Sequence, residues 1–290
     1  MQPIFQIFKR KDMNFLNILQ ELGKVDKEVH QGLTPRRKAI RQFFGFGSKV
    51  AFASLPFAFG SVLKKAHAQT ATGNTEEVFQ FVLLLEYLEA DFYTLGLAAV
   101  GLIPAGAARE AITNVLDHEN KHIAFLTATL ESLEVAPVSK PTFDFTGGKG
   151  VNAGPFADVF SNYNTFLAIA QALEDTGVRA YKGQIPELLG IPASLTAALN
   201  IHSVEARHAS HIRQMRKRNG VDIKPWITGK ESVPSTVIQP AYDGEETDIQ
   251  GGIKLTGISG LPISLTAATE SFDQPLTKEQ VLAIIDPFIV

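Results

Sequence analysis

Glu119-Asn120-Lys121-His122 and Glu205-Ala206-Arg207-His208 are the stretches whose reading decides the fold. Each is a Glu-x-x-His, and residues three apart on a helix share one face, so Glu and His at that spacing can converge on one ion or on two adjacent ions. One copy alone means little. Working outward, Glu86 with Tyr93 precedes the first motif, and Glu174 with Tyr181, at the same spacing, precedes the second. The interval from Glu86 to Glu119 nearly equals that from Glu174 to Glu205 and suits a long helix plus a connection. The chain therefore repeats a helix pair that carries one Glu on its first helix and Glu-x-x-His on its second. Four carboxylates facing one apolar core without a metal would be strongly penalised by desolvation and mutual repulsion. Metal is the simpler explanation.

Four helices follow from the punctuation around these motifs. The first is expected from Asn74, with Glu77 three residues on as in a capping box, to Gly101; it is apolar almost all round and therefore buried. The second should begin after Pro104 and stop before Pro137. A third is expected to open at Pro155 and end near Gly183, ahead of Pro186. The fourth follows Pro192, gathers Lys and Arg in its last turns, and ends with Gly220 placed as a C-terminal cap. Short Gly/Pro connections join the first to the second and the third to the fourth, as antiparallel neighbours require. Between the second and third lies one long crossover, VAPVSKPTFDFTGGKGVNAG. The fold class expected is all-α, a four-helix bundle with one long crossover and an irregular C-terminal extension.

The stretches LLLEYLEADFY, DHENKHIAFL, ALEDTGVRAYKG and VEARHASHIR give residues 74–220 a resemblance to a ferritin-like domain, of the sort also called desiccation-related or rubrerythrin-like. The resemblance implies a dinuclear centre. It places Glu86 and Glu174 as the single-Glu ligands, Glu119 and Glu205 as bridging carboxylates, and His122 and His208 as nitrogen ligands. Glu89 shares the inward face with Glu86 and is a competing or additional ligand. Glu86 is preferred because its Tyr spacing recurs at Glu174, whereas the position equivalent to Glu89 is Gly177. Tyr93 and Tyr181 are either core tyrosines or catalytic phenols that orient a carboxylate or deliver an electron. Asp175 points about a quarter turn from Glu174 and is expected to be solvated or salt-bridged. His118, His202 and His211 are read as packing residues or partners of ligands.

Carboxylates with two imidazoles and no thiolate favour two iron or manganese ions, with oxygen or peroxide as the reacting partner. The sequence leaves iron and manganese both open. Relatives in the wider superfamily store or oxidise iron, consume peroxide or hydroxylate substrates, so the resemblance carries the fold further than the reaction. Two functions stay open: a redox enzyme of ferroxidase, peroxidase or catalase type, and a non-enzymatic metal-binding or desiccation-related protective protein.

Composition bounds the rest. With 290 residues, 45% of them hydrophobic, and a net charge of −3, the chain can bury a full core and shows no bias toward nucleic acid. It has no Cys, which excludes disulfides, thiol catalysis and iron–sulfur ligation. Residues 1–68 read as an N-terminal extension and export signal: Arg36-Arg37 precede a weakly apolar stretch ending in Ala66-His67-Ala68, as in a twin-arginine signal cleaved after Ala68. Met13 is an alternative start, and an amphipathic helix docked on the bundle or a membrane is the alternative reading. An exported, periplasmic protein with no membrane span after processing is expected. The bundle is assigned to residues 69–220. Residues 221–290 are expected to wrap over it in extended form, through Ile253, Leu255, Ile258, Leu261, Ile263 and Leu265, and to end in a short helix capped by Thr277. The same tail can instead mediate a homodimer.

Overall fold

The computed structural model describes residues 74–231 and 235–290. The expected export signal and cleavage point fall outside these residues. Four long helices dominate: α1 (Thr75–Ala98), α2 (Ala107–Ser132), α3 (Tyr163–Gln184) and α4 (Pro192–Arg218). Local chemistry explains most of their ends. Asn74 caps α1 by accepting a hydrogen bond from the Glu77 amide at 3.3 Å, Pro192 opens α4, and Gly220 takes φ +90° just after it.

The third helix differs from expectation. It starts at Tyr163, eight residues after Pro155, because Asn162 caps it by accepting from the Asn164 amide at 3.0 Å. Residues 155–161 form turns instead, with Phe156 and Val159 buried beneath them. Proline with φ near −65° suits a turn as well as a first helical residue, and the side-chain cap decides between them.

α1 and α3 are the interior pair. Every residue of α3 from Phe166 to Tyr181 is buried, and α1 buries residues on all its faces. They pack closely where Phe92 stacks on Phe166, ring centroids 4.8 Å apart. Gly96 permits that approach, since a Cβ there would lie 2.3 Å from the Phe166 ring. α2 and α4 are amphipathic and flank this pair on the side where their histidines meet.

The long crossover is held in shape by Asp144, whose carboxylate accepts from the amides of Thr146, Gly150 and Asn152 at 2.9–3.0 Å. The end of the chain pairs with it: the Asp144 amide donates to the Phe288 carbonyl at 2.8 Å, and Phe143 and Ile289 form an antiparallel bridge.

The C-terminal extension contains a two-residue hairpin, β1 (Ile249–Gln250) with β2 (Ile253–Lys254), and two short helices, α5 (Leu265–Thr269) and α6 (Lys278–Ile285). Thr277 caps α6 with a full capping box. The apolar residues expected to face the bundle do not all do so. Ile253, Leu261 and Leu265 are 56%, 55% and 57% exposed, because the hairpin and the loop after it stand away from the helices. The extension is anchored instead by Ile227, Ile238, Tyr242, Leu276, Val281, Ile285 and Phe288, all buried.

Two buried arginines complete that anchorage. Arg179 of α3 donates to the carbonyls of Gln274 and Asp243 at 2.7 Å and of Ala241, and its Nε lies 2.8 Å from the Glu245 carboxylate. Arg213 of α4 bonds Asp175 and Glu231, and Tyr242 donates to Asp175 at 2.8 Å. Asp175 is therefore salt-bridged rather than solvated. Gly183 lets the extension cross α3 closely: a Cβ there would fall 1.9 Å from the Leu276 carbonyl oxygen. No helix among the described residues is long and apolar enough to cross a membrane.

Candidate metal centre

Each long helix sends its Glu inward at mid-length. Glu86 comes from α1, Glu119 and His122 from α2, Glu174 from α3, and Glu205 and His208 from α4; all are buried. His122 Nδ1 lies 3.1 Å from Glu86 Oε2, 3.1 Å from Glu119 Oε2 and 3.2 Å from Glu205 Oε1. His208 Nδ1 lies 2.8 Å from Glu119 Oε1 and 3.4 Å from Glu174 Oε2. Two ligand groups of a size that could hold a metal ion result: Glu86, Glu119, His122 and Glu205, and Glu119, Glu174, Glu205 and His208. Glu119 and Glu205 belong to both.

The tyrosines cross between the repeats. Seven residues along a helix is about 10 Å of rise, too far for Tyr93 to reach Glu86 on its own helix. Tyr93 instead donates to Glu174 Oε1 on α3, and Tyr181 to Glu86 Oε1 on α1, each at 2.5 Å. Burial, then the neighbouring Glu, pushes both phenols well above their ordinary range, so both remain protonated donors. The outer oxygen of each single Glu is thereby fixed and its inner oxygen left for the centre.

Electrostatics shows what the donor set lacks. Burial raises Glu205 well above the usual carboxylate range, raises Glu174, and brings Glu86 to about 7. Glu119 is the exception: burial pushes it up, but the facing His122 and His208 imidazoles outweigh this and hold it at about 2. Burial disfavours the charged imidazoles too, yet the surrounding carboxylates raise His122 and bring His208 to about 11. Positive charge is what these buried carboxylates require. Glu119 Oε1, Glu174 Oε2, both Glu205 oxygens and His208 Nδ1 are buried in these close contacts without a well-directed hydrogen bond. Buried acceptors in that state call for a cation, and hard carboxylate oxygens with two imidazoles fit iron or manganese.

Glu89 is buried beside this cluster but belongs to neither group. Its carboxyl lies over Gly177, where a Cβ would sit 3.0 Å from Glu89 Oε1 and 3.4 Å from Glu205 Oε2. The departure from the repeat is thus physical: Gly177 makes the space that Glu89 fills. Burial, then Glu205, raises Glu89 well above the usual range.

His118 has a role that its rotated position on the helix hides. Its Nδ1 lies 2.9 Å from His208 Nε2, with the two rings stacked at 5.2 Å, so it engages the ring edge opposite the carboxylates. The Glu119-to-His118 adjacency was the only signal available. His202 and His211 are half-buried and stand outside both groups.

No curated protein and no solved structure matches the chain significantly. A ferritin-like domain model does, over residues 74–218, half of the chain, from the cap of α1 to the last residue of α4. With four helices, one long crossover and a buried carboxylate–histidine centre at their middle, the chain belongs to the ferritin-like domain family.

Proposed function

We propose that the centre holds two iron or manganese ions and acts on oxygen or peroxide, in an exported protein that serves stress protection. The observation that carries this reading is the sharing of Glu119 and Glu205 between two adjacent ligand groups. Carboxylates common to both groups would bridge the ions and offset their mutual repulsion. Glu86 with His122 would complete one position, and Glu174 with His208 the other. Iron or manganese bound there would supply one-electron chemistry toward oxygen or peroxide.

The chain's own residues would do the rest. Tyr93 and Tyr181 hold Glu174 and Glu86 by one oxygen each. This allows the other oxygen to change its binding as charge in the centre changes. A phenol in that position could also give one electron to oxidised metal bound there, its proton passing to the carboxylate it already bonds. Glu89 is proposed as a protonated neighbour that can add a further carboxylate beside Glu205. The test is reconstitution under anaerobic conditions with Fe(II) or Mn(II), followed by measured uptake of oxygen or peroxide. Consumption well above that of free metal supports the reading, and none with either ion refutes it.

Metal uptake is also expected to release protons. The metal-free centre keeps protons on Glu205, in part on Glu86 near neutrality, and on both histidines, and ligands must shed them to bind. Affinity should accordingly rise with pH through neutrality. An indicator dye in weak buffer reads the release directly, and uptake without acidification would contradict it.

A further inference from the structure

On the outer side of the two histidines, α2 and α4 enclose a pocket of about 230 Å³ lined by His118, Lys121, His122, Val204, Arg207 and His208. No carboxylate lines it, although several lie just behind. Its floor is made of imidazole edges. His208 Nε2 is engaged by His118, whereas His122 has Nδ1 turned inward to the carboxylates, and its Nε2 edge meets no acceptor among the described residues. At the rim, Arg207 donates Nε to the Ser203 carbonyl at 3.1 Å, and its two outer nitrogens meet no protein acceptor among the described residues. Lys121 is partly neutralised by Asp117, one turn earlier.

We propose that this pocket binds a small inorganic oxyanion of phosphate size, held between the Arg207 guanidinium and the outer nitrogen of His122. Guanidinium nitrogens and a ring N–H lining one pocket suit the several oxygens of a single oxyanion. The volume accommodates an ion of a few heavy atoms with several waters. A free divalent cation is a poor occupant, because no carboxylate lines the pocket and Lys121 and Arg207 bring two positive charges to it. The proposal stands on the pocket's own residues and does not need the centre behind it to be redox-active.

Calorimetric titration of the full-length protein, with its native metal content, with inorganic phosphate at pH 7 tests it. Saturable one-to-one binding is expected, weakening as salt rises. Arg207→Gln should lower the affinity about tenfold or more, as loss of charge-assisted donors does. Lys121→Gln should lower it less, since Asp117 already screens that charge. Both side chains are exposed, so neither variant threatens folding, and metal content measured on each should be unchanged. Absence of saturable binding would overturn the proposal, as would binding indifferent to Arg207, which would place the phosphate on the metals or elsewhere. A chain that binds phosphate with this Arg207 dependence but holds no redox metal would refute the proposed function and leave the anion site standing.

Discussion

Stripping metal from the native protein with a chelator is expected to lower its Tm by about 10 °C, and restoring the ion to return it. An ion present at a thousand times its Kd stabilises the folded state by about 4 kcal/mol. In a domain of this size each kcal/mol moves Tm by roughly 2–4 °C. The effect should exceed what loss of a surface site would cause. Five oxygen and nitrogen atoms of the centre are buried without a well-directed hydrogen bond, and the carboxylates among them come from three of the four helices, α2, α3 and α4. Removing the cation leaves the helix pairs with only shared protons to offset that repulsion. Calorimetry with and without chelator measures the shift; an unchanged curve would mean that protonation alone holds the centre together.

A second large effect is expected where the C-terminal extension is anchored. Arg179→Met should destabilise the protein by about 3–5 kcal/mol, the usual cost of breaking a buried ion pair from one side. The guanidinium is the hub between α3 and the extension, serving carbonyls of Gln274, Ala241 and Asp243 as well as Glu245. Burial already holds Glu245 at about 7 even with its partner present, and without Arg179 that carboxyl keeps only the Gln274 amide and the weaker field of Lys182. Denaturant unfolding measures the loss. Adding Glu245→Met to the variant should recover part of it, because two apolar side chains avoid the unpaired group. A loss below about 1 kcal/mol would show that the extension is held mainly by Val281, Ile285 and Phe288.

The parts that were legible in the sequence are those set by local rules. Asn74, Thr277, Pro192 and Gly220 mark ends through chemistry contained within one turn of chain, and the structure uses each at that end. The third helix was misplaced at its start because Pro155 satisfies a turn as readily as a helix, and only packing of Phe156 and the Asn162 cap separates the two. Tyrosine spacing announced a repeat. That each tyrosine serves the Glu of the other half depends on how α1 and α3 face each other, which no one-dimensional pattern carries. Apolar content misled in the extension: Leu261 and Leu265 look like anchors, while the buried work falls to Arg179, Arg213 and Tyr242, residues that composition would assign to the surface or the core's edge. His118 was hidden for the same reason, since its partner is on another helix.

Ions counted per chain across a short series of variants test the central claim most directly. The wild-type protein loaded with iron or manganese should carry two. Glu119→Ala and Glu205→Ala should each fall to one or none, because each removes a carboxylate common to both ligand groups. Glu86→Gln should lose more metal than Glu89→Gln, since Glu86 is grouped with His122 and Glu89 is not, and His118→Gln should keep both ions. Two ions retained without Glu119 or Glu205 would contradict a shared dinuclear centre, and full loss at Glu89 with little effect at Glu86 would show that the wrong glutamate of α1 had been assigned to the metal.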